Sequence, residues 1–393
     1  MPKTRVLIFH PAIAPYRIDL FNELATHFDM KIVLFQKNMQ SQKFNQQRLA
    51  NLLQCKFEYL CSGFNIMGRT IRWGMGPIIS EFNPDVVVCT EYALPSLAIA
   101  ASKKFNSNST WGLLIWTSDN IFLCQDAPFY RRLPRKLVLK AADGMIIDTH
   151  SAKNWYVRYG LAAERIGVCS NLQEERRFRH LLSNAIGIAK IFLRRESLEG
   201  KRVVLYVGRL VPLKGIDRAI RAFARVNHTL KDVSFIIIGE GPQRAYLEKL
   251  TEELGINDSV KFVGRYEGLP LMAWYLIGQL LVLASNPEAY GAVVNEALLA
   301  GMPVLCSSWA GATDLIREGQ NGYIVDPYDI SAISRQMANV LANALPICAD
   351  TIALRESLMP VSFHSGADEF IRVINLAASH KQKAKEQPVG SLA

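Results

Sequence analysis

Residues 280–311, LLVLASNPEAYGAVVNEALLAGMPVLCSSWAG, decide the fold. The run 280–284 is apolar and long enough for a buried strand. Ser285, Asn286 and Pro287 break it, and Glu288 stands in the resulting loop. From Gly291 the spacing turns helical: Val293, Val294, Ala297 and Leu298 share one face and Glu296 lies off it. Gly301 and Pro303 end that helix, and a second apolar run, 304–306, follows. A strand–loop–helix–strand unit predicts a parallel sheet. In such a sheet a ligand sits beyond the carboxyl ends of the strands, where Glu288, Gly291 and Gly311 fall. The helix start offers free amides for an anion. Carboxylates only accept hydrogen bonds, so the pair Glu288 and Glu296 beside an anion site points to a ligand that also carries hydroxyls.

The same alternation covers the rest of the chain. Strands are expected at 5–9, 31–35, 85–89, 111–116 and 145–147, with helices at 16–28, 73–82, 96–105 and 131–142. A further helix, capped by Ser151, is expected to end near Gly160. An Arg-rich stretch, 176–199, reads as helix and linker. The alternation then restarts with strands at 203–207, 234–238, 260–263 and 323–325, and helices at 216–227, 243–254, 330–342 and 364–378. At 393 residues the chain is too long for one ordinary core. The expected division is a domain at 1–175, a linker at 176–200, a second domain at 201–360, a helix at 361–380 packing back on the first domain, and a flexible tail at 381–393.

The formal net charge of +10 suits an anionic partner: a nucleotide, nucleic acid or an acidic membrane face. The seven cysteines are scattered with no C-x-x-C pair, which argues against a disulfide framework or a zinc site and for a reducing compartment. No signal peptide is expected, and no stretch approaches the ~20 apolar residues of a membrane span.

Two loops carry the chemistry. After the strand at 203–207 comes GRLVPLKG, 208–215: Gly208 turns the backbone, and Arg209 and Lys214 put a guanidinium and an ammonium into one loop, a pairing suited to a diphosphate. At the next strand end, GEGP at 239–242 permits close backbone approach through Gly239 and Gly241.

With these motifs in place, the second half resembles the nucleotide-sugar-binding half of the family 4 retaining glycosyltransferases. The resemblance rests on GRLVPLKG, GEGP, the E-x7-E from Glu288 to Glu296, Ala310-Gly311 and Gln320-Asn321-Gly322, in order and at matching spacing. The first half resembles the family more loosely, through His150-Ser151 and through Ser170-Asn171 leading to Phe178. The resemblance implies an α/β fold of the GT-B type, two Rossmann-like domains facing each other across a cleft. It implies a retaining, metal-independent glycosyltransferase (hexosyltransferase) using a UDP- or GDP-sugar and no cofactor. Arg209 and Lys214 would hold the diphosphate, Glu288 the sugar hydroxyls and Glu296 the ribose. Gly208, Gly239 and backbone near Arg265 would line the nucleotide, and amides of Tyr290, Gly291, Ala292 and Val293 the sugar and phosphate. The acceptor would be a glycan or a polyprenyl-linked glycan, in bacterial cell-surface polysaccharide or lipopolysaccharide biosynthesis.

The chain also departs from the family. Its first loop, 10–17, has no glycine, so Arg17 would stand in for backbone amides. Where members often carry a histidine, Asp119 offers a carboxylate and competes with a cap or turn role. His10 ends the first strand as either a cleft residue or a satisfied buried histidine. No Asp-x-Asp occurs, which fits a leaving group handled by Arg and Lys. The basic stretch 130–140 fits either an anionic membrane face or a helix docking its leucines on the core. The expected location is the cytoplasm, or peripheral attachment at the inner face of the cell membrane. A nucleotide-sugar epimerase of the same architecture would need an acid/base set that is not identifiable. A non-catalytic sugar-nucleotide-binding assembly partner would not need all four of Arg209, Lys214, Glu288 and Glu296. A dehydrogenase lacks its G-x-G-x-x-G, and a nucleic-acid binder would not explain the paired glutamates.

Overall fold

The computed structural model describes residues 2–38, 44–66, 69–105, 110–125 and 128–386. The chain divides into two compact units, Met1–Leu172 with Phe363–Ala393, and Gln173–Ser362. Each is a parallel α/β unit, as expected for a Rossmann-like domain.

The strands of the first unit are β1 (Arg5–His10), β2 (Asp29–Leu34), β3 (Lys56–Tyr59), β4 (Gly63–Ile66), β5 (Arg69–Arg72), β6 (Val86–Thr90), β7 (Gly112–Thr117), β8 (Gly144–Ile147) and β9 (Ile166–Val168). Seven of them form one sheet in the order β3-β2-β1-β6-β7-β8-β9, and β4 and β5 pair separately as an antiparallel ribbon. The central strands VLIF, VVVC and LLIW are buried on both faces, as a parallel sheet covered by helices requires. The strand order reverses between β1 and β6, so the crevice at the carboxyl ends opens beside His10. The helix Phe363–Glu386 packs across β7, β8 and β9 and buries Phe370, Val373 and Ile374. Gly112 permits that approach, since a Cβ there would stand 2.7 Å from the Ala377 carbonyl oxygen.

The second unit holds β10 (Arg202–Val207), β11 (Val233–Ile238), β12 (Val260–Gly264), β13 (Leu280–Leu283), β14 (Val304–Ser307) and β15 (Gly322–Val325). Their order is β12-β11-β10-β13-β14-β15, all parallel, with the reversal between β10 and β13. The opening stretch is therefore β13, a loop, the helix Ala292–Leu299 and β14.

Several expectations are adjusted. The stretch expected as helix and linker is the helix Glu175–Arg195, which belongs to the second unit and packs along the helix Leu269–Ile277. Phe192 meets Trp274 there at 5.0 Å between ring centroids. The helix Leu269–Ile277 was not anticipated: GLPLMAWYLIG is apolar all round, because nearly every side of the helix is buried, so no 3.6-residue period marks it. The cap of the helix His150–Arg158 is Thr149 instead of Ser151; its hydroxyl accepts from the Ala152 amide at 3.2 Å. The C-terminal helix runs through Glu386, into the segment expected as tail, and residues 387–393 lie outside the described residues. Of the basic stretch, Arg131, Arg132, Leu133, Lys136 and Leu137 are exposed on the helix Phe129–Ala141, while Arg135, Val138 and Leu139 are buried.

Candidate functional site

The second unit gathers its predicted residues at the carboxyl ends of β10 and β13. Gly208 and the exposed Arg209 leave β10, and the Tyr206 hydroxyl donates to the Arg209 carbonyl at 2.9 Å. A 3-10 turn, Pro212–Lys214, then presents Lys214 before the helix Ile216–Thr229. At the end of β11, Gly239 lies hard against this loop: its φ is +151°, and a Cβ would meet the Gly208 carbonyl oxygen at 1.8 Å. Only glycine fits there, so GRL and GEG stack backbone on backbone.

The loop after β13 is fixed on both sides. The Asn286 amide donates to the Leu213 carbonyl at 2.7 Å, and the Ser307 hydroxyl donates to the Ser285 carbonyl at 2.7 Å. The Glu288 amide donates to Trp309 at 3.2 Å and the Gly311 amide to Glu288 at 3.3 Å, so Glu288 pairs with Ala310 as a short extension of the sheet. These bonds bring the two predicted side chains together: the Lys214 ammonium is ion-paired with the Glu288 carboxylate, and both are largely covered. Spacing along the chain did not reveal this pair. The negative charge at Glu288 helps hold the buried Tyr206 hydroxyl and Cys306 thiol protonated, burial being the larger cause for both.

Gly291, at φ +97°, is the residue before the helix Ala292–Leu299, and no side chain caps that helix. The amides at Ala292 and Val293 belong to a first turn that lacks intrahelical acceptors. A Cβ at Gly291 would stand 3.5 Å from the Glu288 side chain, so this helix start lies beside Glu288, with the buried Tyr290 just before it. Glu296, one turn further on, is half-buried. Its Oε1 accepts from the Gln173 side-chain Nε2 at 2.8 Å and its Oε2 from the Tyr275 hydroxyl at 2.5 Å. Burial raises the Glu296 pKa, and those two bonds oppose the rise. Each carboxylate oxygen keeps a second lone pair for a ligand hydroxyl. Gln173 and Tyr275 escaped the sequence reading; Gln173 is one polar residue among many before a helix, and Tyr275 sits in the uniformly apolar run. Arg265 follows β12 as an exposed residue paired with Glu267.

The first unit places its three predicted residues differently. His10 is buried between Phe21 and Trp116, each 5.5 Å away between ring centroids. Its Nδ1 lies 2.9 Å from the Ala12 carbonyl, which can only accept, so Nδ1 carries the proton and Nε2 is left as an acceptor. Burial first, and then the charge of Arg17, lower the His10 pKa to about 3. Arg17 is itself buried, stacked 4.0 Å over Trp116 and paired with the fully buried Asp148 at 3.8 Å. Asp119 is buried too; it binds Arg135 at 3.1 Å and accepts from the Tyr156 hydroxyl at 2.7 Å. Its carboxylate is thus engaged inside the unit.

Among the described residues, no group of three or more His, Cys, Asp and Glu is placed to hold a metal ion. Among the same residues, no helix is long and apolar enough to cross a membrane.

Comparisons with known proteins bear on this geometry. Residues 189–353 match the family model described as glycosyl transferases group 1, a span containing the loops of β10, β11 and β13. Among characterised relatives, the alpha-D-kanosaminyltransferase of Streptomyces kanamyceticus is 30% identical over 209 residues, 51% of this chain and 51% of that protein. The chain thus spans about half the length of that relative, and it spans 21% of an exopolysaccharide phosphotransferase of Streptomyces coelicolor, 29% identical over 212 residues. Among solved structures, Anabaena HepE in complex with UDP and glucose superposes with a TM-score of 0.67 at 17% identity, covering 98% of this chain and 100% of that one. The likeness confirms the fold expected from the sequence. The stretch 189–353 is thus similar to the glycosyl transferases group 1 family.

Proposed function

We propose that this protein is a retaining glycosyltransferase that moves a sugar from a UDP- or GDP-sugar to a glycan or lipid-linked glycan, in the building of cell-surface polysaccharide or lipopolysaccharide. The observation that carries the reading is the meeting of Arg209, Lys214, Glu288 and a bare helix start at one topological switch point, with Glu296 one turn behind. Relatives named as sugar transferases and a neighbour holding UDP support it.

In this reading Arg209 and Lys214 stabilise charge on the departing diphosphate. Glu288 orients the donor sugar and Glu296 the ribose. Gly208, Gly239 and the backbone at Arg265 line the nucleotide, and the amides of Tyr290 to Val293 meet the sugar and phosphate. The acceptor oxygen bonds to the anomeric carbon on the face from which the diphosphate leaves. The acceptor's proton passes to the leaving phosphate, so no side-chain base is required. In the first unit, His10 offers Nε2 to a substrate hydroxyl, while Arg17 and Asp119 hold that strand edge in shape. The exposed Arg131, Arg132, Lys136, Leu133 and Leu137 suit peripheral attachment to an anionic membrane at the cytoplasmic face.

The test is calorimetric titration of UDP and GDP, without added metal, against the wild type, Lys214→Ala and Glu296→Ala. One nucleotide binding, weakened by both substitutions, is expected. Absence of binding, or binding that neither substitution changes, overturns the reading.

A further inference from the structure

We propose that Glu288 acts as an internal substitute for the second phosphate of the nucleotide: it holds Lys214 in an ion pair, and a nucleoside diphosphate binds by displacing it. The inference rests on the nucleotide-sugar reading above and adds a selection step to it.

The argument is geometric. The loops bearing Lys214 and Glu288 are joined by the Asn286–Leu213 backbone bond, and the Glu288 backbone is pinned to Trp309 and Gly311. Backbone bonds thus fix how the two loops sit, and the side-chain pair is what a ligand has to displace. Both are largely covered, with relative side-chain exposures of 20% and 14%, so the ion pair is partly shielded from water. A single anion cannot be added beside Lys214 without confronting Glu288. A diphosphate has a way round this. One phosphate can be met by Arg209, which stands exposed next to the site, and by the bare amides of Ala292 and Val293. The other can then compete for Lys214. Once released, the Glu288 carboxylate is free to accept from a hydroxyl of the attached sugar. A nucleoside monophosphate can use the first group of contacts but has no second phosphate with which to claim Lys214. The pair thus favours ligands that carry a diphosphate and bear a hydroxylated group beyond it.

The opposite expectation follows if Glu288 serves only to bind the sugar: its removal would then leave the affinity for a nucleotide without sugar unchanged. The experiment titrates UDP, GDP, UMP and GMP against the wild type, Glu288→Gln, Glu288→Ala, Lys214→Met and the double variant Glu288→Gln/Lys214→Met. Removing a competitor of this kind is expected to tighten the bound diphosphate by about two- to tenfold, in both Glu288 variants. The corresponding monophosphate is expected to stay within about twofold, and the gain is expected to vanish in the Lys214→Met background. Diphosphate affinity that is unchanged or weaker in both Glu288 variants overturns the inference while leaving the nucleotide site intact. A gain that persists without Lys214, or that the monophosphate shares in full, overturns it as well. Failure of every form, wild type included, to bind any of the four nucleotides overturns the nucleotide reading itself, and the displacement falls with it.

Discussion

Replacing Arg355 with methionine tests how the second unit ties off its helices. The Arg355 guanidinium donates to three backbone carbonyls: Tyr275 at 2.7 Å, Gly278 at 2.6 Å and Ala300 at 3.2 Å. These carbonyls lie at the carboxyl ends of the helices Leu269–Ile277 and Ala292–Leu299, where intrahelical donors run out and the dipole favours a cation. Hydrogen bonds to a charged group are worth about 1.5–3 kcal/mol each, so the three together stabilise by roughly 6 kcal/mol. Burial works against this, pulling the Arg355 pKa from 12.5 down to about 10. Keeping the charge therefore costs on the order of 3 kcal/mol, at about 1.4 kcal/mol per tenfold. The net expectation for Arg355→Met is a loss of about 3 kcal/mol. For a unit of this size that is a drop in Tm of roughly 6–12 °C. The assay is thermal unfolding at pH 7 by calorimetry, following the transition of the second unit, with Arg355→Lys expected in between because an ammonium cannot span all three carbonyls. Arg355 also borders an open cavity of about 380 Å³ with Gln279, Tyr323, Asn339 and Asn343. Water entering there could satisfy the carbonyls. A Tm for Arg355→Met within a degree or two of the wild type would mean that it does, and would refute the clamp.

Other outcomes follow from the two strand edges. Gly239→Ala is expected to destabilise the second unit by more than about 2 kcal/mol and to abolish nucleotide binding, because the added Cβ would overlap the Gly208 carbonyl oxygen; a soluble variant with unchanged Tm and affinity would contradict it. His10 is expected to stay neutral with the proton on Nδ1 from pH 5 to 8, read by nitrogen chemical shifts. Its folded pKa of about 3 lies below the unfolded value of 6.5, so its share of stability is present above pH 6.5 and fades as pH falls toward 3. Denaturant melts at pH 7.5 and 5 that show no contribution from His10 would count against this. Leu133→Ser/Leu137→Ser is expected to cut sedimentation with vesicles containing anionic phosphatidylglycerol severalfold without lowering nucleotide affinity, since both leucines are exposed.

Strand positions were legible because parallel strands buried on both faces must be apolar runs, and each run expected as a strand is one. Amphipathic helices were legible for the complementary reason. What failed to show were elements without contrast. The helix Leu269–Ile277 is apolar on all sides, and the edge strand β3, KFEY, mixes charge with aromatics. Loop glycines at 208, 239 and 291 announced the turns around the site, but pairing between loops is a matter of tertiary placement. Lys214 and Glu288 lie 74 residues apart, and no spacing along the chain shows that their side chains meet. In the same way Arg17 and Asp119 carried the right chemistry for a cleft, yet their partners Asp148 and Arg135 are distant in sequence and draw them inward.

That contrast separates the work of the two units. At the carboxyl edge of the first sheet, charges are spent on one another: Arg17 on Asp148 and Arg135 on Asp119, all nearly out of water. Breaking such a pair leaves a buried charge behind, so substitutions there should act first on stability. At the corresponding edge of the second sheet, Arg209 is exposed, Lys214 and Glu288 form a largely covered ion pair, and Glu296 keeps spare acceptor capacity. Those groups are incompletely used by the fold, which is the condition under which a ligand gains most from meeting them. Substitutions at the second edge should therefore act first on affinity, and a variant set that lowers Tm at Arg17 and Asp119 while sparing it at Arg209 and Lys214 is the pattern this division of labour requires.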